Sequence, residues 1–177
     1  MNIRLITPCF FVTLLAAING QSAPTDIRLA DGSFAFQLPA GWISNPNNSQ
    51  TAKNGMYIYG KVAKDGKGHT IIPSCSFILT KTTTTDIVKL YAQSMLKAPI
   101  KVERVFTFRD GLISLPNAIG VKGSLPISAN VSRTVIVVYA LHTPRQLFVE
   151  AACESPNELF LVMEADFRKI LGSMRFY

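Results

Sequence analysis

Val135-Ile136-Val137-Val138-Tyr139-Ala140-Leu141 is apolar at odd and even positions alike. Successive side chains of a strand point to opposite faces, so this stretch predicts a central strand covered on both sides. It belongs to a longer strand over about Val131–Leu141. A partner strand, about Gln146–Ala152, returns beside it around His142-Thr143-Pro144-Arg145. One layer of structure must therefore lie on each face of the sheet.

Immediately downstream, Ser155-Pro156-Asn157-Glu158 reads as a helix start. Serine would be the N-cap, proline the first helical residue, and Glu158 would reach back to close a capping box. The helix runs to about Leu171, with Leu159, Met163, Phe167, Ile170 and Leu171 facing inward, and 173–177 is a short final strand. Upstream, a first helix spans about Asp86–Ala98, capped by Thr84 or Thr85 and stopped by Pro99. Its apolar stripe is Ile87, Leu90, Tyr91 and Met95, opposite Lys89, Gln93 and Lys97.

The remaining segments read as strands. Thr25–Ala30 and Ser33–Leu38 flank an Asp31-Gly32 turn, and Met56–Ala63 pairs with His69–Thr80. Further strands fall near Val102–Arg109 and Asn117–Ser124. Hairpin connections dominate, so the expected fold class is α+β: a mostly antiparallel sheet flanked by two main helices.

Residues 1–22 read as a signal peptide and 23–177 as one domain. Arg4 supplies the positive n-region, Leu5–Ile18 is an uncharged apolar run of 14 residues, and a small, polar region follows. The run is shorter than the roughly 20 residues that span a bilayer. Cys9 sits within it, preceded by Ile6-Thr7-Pro8 rather than small residues, so a lipid anchor is not expected. The mature protein is expected to be exported, periplasmic or secreted, without a stable membrane anchor.

Two cysteines remain, Cys75 and Cys153. In an oxidising compartment an even pair is read as a disulfide, and two buried thiols are the alternative. Alternation places Cys75 with Ile71, Phe77 and Leu79, and Cys153 with Leu147, Val149 and Ala151, both toward an apolar side.

The chain holds 18 Lys+Arg against 11 Asp+Glu, a net charge of +7 that falls to +6 without Arg4. The basic residues are scattered and form no stripe with aromatics, so no nucleic-acid partner is expected. Two histidines, His69 and His142, make no metal-ligand pattern, and no metal or cofactor is expected. The Lys64–Thr70 segment lacks the spacing of a phosphate loop and reads as a hairpin turn. No Gly-x-Ser-x-Gly elbow occurs, and no catalytic residue is assigned. Glu150 is close enough to the strand end carrying His142 for a polar contact. Asn47-Asn48-Ser49 and Asn130-Val131-Ser132 match the N-glycosylation tripeptide, which matters only in a eukaryotic secretory route. Trp42 follows a strand through Pro and Gly; it either caps the core or serves as an exposed anchor for a partner.

Phe34-Ala35-Phe36-Gln37-Leu38-Pro39-Ala40-Gly41-Trp42 resembles the F-x-F-x-(I/L)-P-x-G-W strand-to-loop signature of the PsbP-like superfamily. The order of elements is similar as well, and the exported bacterial DcrB-type branch fits better than the photosystem or Ran-binding branches. The resemblance implies a sheet sandwiched by helices and a non-enzymatic binding or adaptor role toward a protein or envelope component. A pocket for a small apolar ligand and a hydrolase with a dispersed site are the alternative functions.

Overall fold

A computed structural model describes residues 24–29, 32–45, 55–64, 68, 70–98, 100–128 and 131–177. The expected signal peptide, Cys9, Asp31, Asn47, His69, Pro99 and Asn130 lie outside them.

In chain order the elements are β1 (Thr25–Leu29), β2 (Phe34–Leu38), β3 (Ile43–Asn45), β4 (Gly55–Tyr59), β5 (Ala63–Lys64), β6 (Thr70–Ile71) and β7 (Ser74–Lys81). They continue with α1 (Ile87–Lys97), β8 (Lys101–Thr107), β9 (Ala118–Ser128), β10 (Val131–His142), β11 (Leu147–Pro156), α2 (Asn157–Gly172) and β12 (Arg175–Phe176). Seven strands form the main sheet in the order β3-β4-β7-β11-β10-β9-β8. A three-stranded sheet, β1-β2-β12, and the small β5-β6 pair complete the set. All the strand pairings among the described residues are antiparallel. The fold is α+β, as the hairpin-rich order predicts.

Strand β10 lies inside the sheet between β9 and β11, and its double-sided apolarity follows from that position. Ile136, Val138 and Ala140 enter one core with α2 and β2, whereas Val135, Val137, Tyr139 and Leu141 enter a second core with α1. Phe36 of β2 stacks on Phe77 of β7 with ring centroids 4.0 Å apart, which seats the small sheet on the large one.

Four local expectations are corrected. Asp86, not Thr84 or Thr85, caps α1: its carboxylate accepts from the Val88 and Lys89 amides at 2.9 and 3.2 Å. The capping box at Ser155 does not form. Ser155 is still paired with Thr134 in the ladder, its hydroxyl donates to the Pro156 carbonyl, and Pro156 becomes the N-cap. The inward face of α2 is as expected at Phe167, Ile170 and Leu171, with Met163 packed on the core, but Phe160 is buried in the place expected of Leu159, which is only half-buried. Finally, the long strand pair expected over 56–80 is broken in two at Gly60 and Pro73, joined by a Gly60 amide to Pro73 carbonyl bond of 2.9 Å. Proline has no amide to continue a ladder. A Cβ at Gly60 would sit only 2.8 Å from the Pro73 ring and 3.0 Å from Trp42, so glycine is needed for that approach.

Candidate functional site

Helix α1 has 11 residues, about 16 Å of length, and cannot cover a seven-stranded sheet. It packs on β9 and β10. Strand register then defines what remains open on that face. One row runs Tyr57, Ser76, Ala152, Val137 and Val121 across β4, β7, β11, β10 and β9. The next row runs Gly55, Ile78, Glu150, Tyr139 and Ile119. Toward β9 and β10 Val121, Val137 and Tyr139 are buried beneath α1, and Ile119 is half-buried. Toward β4 and β7 Tyr57 and Ser76 are half-buried and Ile78 is 44% exposed, while Gly55 is buried.

A groove of about 290 Å³ follows the boundary. Val137 and Ala152 line it; Tyr57, Ser76 and Ile78 come from the open strands, and Ala98 and Ile100 from the end of α1. Glu150 and Glu154, four residues apart along β11, lie roughly 13 Å from each other at a rise of about 3.3 Å per residue. Glu154 accepts from Arg133 at 2.6 Å. Glu150 has no ion-pair or hydrogen-bond partner among the described residues and stands half-buried beside Tyr139. Burial, with the charge of Glu150 adding to it, pushes the Tyr139 phenol up to about 12. That hydroxyl donates toward the Met95 sulfur of α1 at 3.7 Å.

On the opposite face a concavity of about 120 Å³ lies among β8, β9, β10 and α2. Phe106, Ile136 and Leu171 supply apolar walls, and Arg104, Lys122, Glu164 and Arg168 supply charge. Glu164 accepts from Arg168 at 2.7 Å and faces Lys122 at 3.6 Å. Burial works to raise its carboxyl, but these two cations outweigh it and hold the group below the usual carboxylate value.

Cys75 and Cys153 stand opposite each other in the β7–β11 ladder and form a disulfide. Both are fully buried on the α2 side, on the face that alternation assigns. Trp42 is 5% exposed, and this corrects its reading as a partner anchor in favour of core capping. Its indole N–H donates to Asp166 at 3.0 Å and its ring meets Phe167 edge-on. His142 and Glu150 do not meet: Glu150 pairs with Tyr139, and three positions along a strand reverse the face. His142 instead stacks on Phe176 at 4.8 Å, with its Nδ1 buried and without a hydrogen-bond partner among the described residues.

The open rows were missed in the sequence, although β7 carries their signal. Ser74 and Ser76, small and polar, alternate with apolar Cys75, Phe77 and Leu79, although Ile78 breaks the pattern. That pattern marks a half-solvated strand, but not which neighbours share its wet face.

No protein-family model matches this chain, and no curated protein matches it in sequence. Its structure is similar to that of LpqN, described as involved in cell envelope biogenesis of Mycobacterium tuberculosis. There the TM-score is 0.61 at 16% identity, over 86% of this chain and 89% of that one. It is similar to the Ran-binding protein Mog1p of Saccharomyces cerevisiae, with a TM-score of 0.57 at 10% identity over 87% and 95% of the chains. It is also similar to the cyanobacterial PsbP of Synechocystis, with a TM-score of 0.55 at 9% identity over 97% and 99%. At such identities the likeness is one of fold: the chain has the PsbP/Mog1-like α+β architecture.

Proposed function

We propose that this chain is an exported, non-enzymatic binding or adaptor protein of the DcrB-type branch, which docks a protein partner of the envelope on the open half of its sheet. One observation carries the reading: among the described residues nothing covers the β4–β7–β11 surface, yet it presents Ile78 and a half-buried Glu150 that has no ion-pair or hydrogen-bond partner among them. A carboxylate partly withdrawn from water without a cation is costly, and a partner bringing one offsets that cost. The structural relatives support the class, since one is a Ran-binding protein and another is involved in envelope biogenesis. Export rests on the charge and hydropathy pattern of residues 1–22. N-terminal sequencing of exported protein is expected to start between residues 18 and 24, and a diacylglycerol found on Cys9 contradicts it.

A photo-crosslinking residue at Ser76 tests the docking surface. The expected result is a discrete adduct with an envelope protein, absent when the crosslinker replaces Leu161, which is 79% exposed on α2. Equal labelling from both positions overturns the assignment.

A further inference from the structure

The cavity beneath α2 differs in chemistry from the open face, and nothing in the proposed docking function uses it. Three cations from three separate elements line it: Arg104 from β8, Lys122 from β9 and Arg168 from α2. One carboxylate, Glu164, shares the lining, and Asp110 holds Arg104 through a single contact of 3.4 Å. Among the described residues the balance is one positive charge in excess. The Lys122 ammonium, on a side chain 29% exposed, makes no contact with Glu164 shorter than 3.6 Å and lies 4.6 Å from the Phe160 ring centroid. Lysine carries three donors and each arginine five. Among the described residues Arg104 donates to Asp110, Arg168 donates to Glu164, and Lys122 faces Glu164, which leaves most of these donors unused there. Donors are therefore available where the apolar floor of Phe106, Ile136 and Leu171 begins.

The floor is itself built for the space. Phe106 lies over Gly120 so closely that any Cβ there would strike its ring. The volume, about 120 Å³, exceeds the roughly 10–15 Å³ that one water needs. It is well below the roughly 300–1,000 Å³ of pockets for drug-sized molecules. Excess positive charge beside a small apolar floor selects a small anion with a short apolar arm, the cations attracting the head and the floor accepting the arm.

We infer that this cavity binds a small organic anion, with a carboxylate head held by Lys122, Arg104 and Arg168 and a short alkyl arm on Phe106, Ile136 and Leu171. Both parts of the ligand are needed. Glu164 opposes binding of the head, since its carboxylate shares the lining of the cavity.

The test is a titration of the isotopically labelled domain with hexanoate, hexanol and inorganic phosphate, followed by amide shifts. Hexanoate is expected to move the Lys122, Ile136 and Leu171 amides, with hexanol and phosphate each at least tenfold weaker. Lys122→Met should weaken hexanoate about tenfold. Glu164→Gln should tighten it several-fold, an effect that a merely structural disturbance would not produce. Preserved shift dispersion in both variants verifies folding. Equal binding of hexanoate and hexanol, loss of binding in Glu164→Gln, or no movement of these amides with any probe overturns the inference.

Discussion

The two faces of the seven-stranded sheet are made from the same strands but finished differently. On one, α2 and the β1-β2-β12 sheet close over a continuous apolar cluster containing Phe34, Phe36, Phe77, Phe167 and the Cys75–Cys153 bridge. On the other, among the described residues, one short helix covers β9 and β10 and nothing covers β4 and β7. A strand such as β7 takes part in both, with fully buried Cys75 and Phe77 on one side and exposed Ile78 on the other. Stability is thus concentrated on the α2 side, and the opposite face is free to carry binding residues at little cost to the fold.

The sharpest way to break this contrast is Phe167→Ala. The ring is fully buried between Trp42 and Phe160, and its removal should cost about 3–5 kcal/mol. A melting temperature unchanged by the substitution would show that the α2 face is not the stabilising one. Removing the disulfide by the double change Cys75→Ala, Cys153→Ala should cost somewhat less. It closes a loop of 78 residues, for which chain entropy assigns about 4 kcal/mol, and measured bridges often deliver 2–4. Denaturant titration with and without reductant measures it; equal midpoints would place the stability elsewhere.

Smaller effects belong to the α1 side. Asp86→Ala removes two hydrogen bonds to the first turn of α1 and should lower stability by about 1 kcal/mol. The accompanying signature is faster amide exchange at Val88 and Lys89 than in α2. The least effect is expected at Ile78→Thr, within about 0.5 kcal/mol, since the side chain is exposed. The same variant should nevertheless weaken the adduct formed through Ser76. A fall in stability as large as that of Phe167→Ala would erase the distinction between the two faces.

What the amino-acid order determined by itself is the set of local decisions. The seven apolar residues 135–141 define a strand buried on both sides, the stripe Ile87, Leu90, Tyr91, Met95 defines one helix face, and the F-x-F-x-L-P-x-G-W stretch marks the architecture. These are readable because a period of 2 or 3.6 is written in adjacent residues. Tertiary structure decided the rest. Ser155 is as good a cap as any in isolation, yet the β10 ladder claims it, since a paired strand outweighs one side-chain bond. Trp42 became a core residue because Asp166 and Phe167, more than 120 positions away, present it with a hydrogen-bond acceptor and a ring. Glu150 and Tyr57 share a groove, and Lys122 joins Arg104 and Arg168, solely through strand order and helix docking. Strand order depends on long-range pairings among many hairpins, whose loop-closure costs differ too little to be ranked from local pattern.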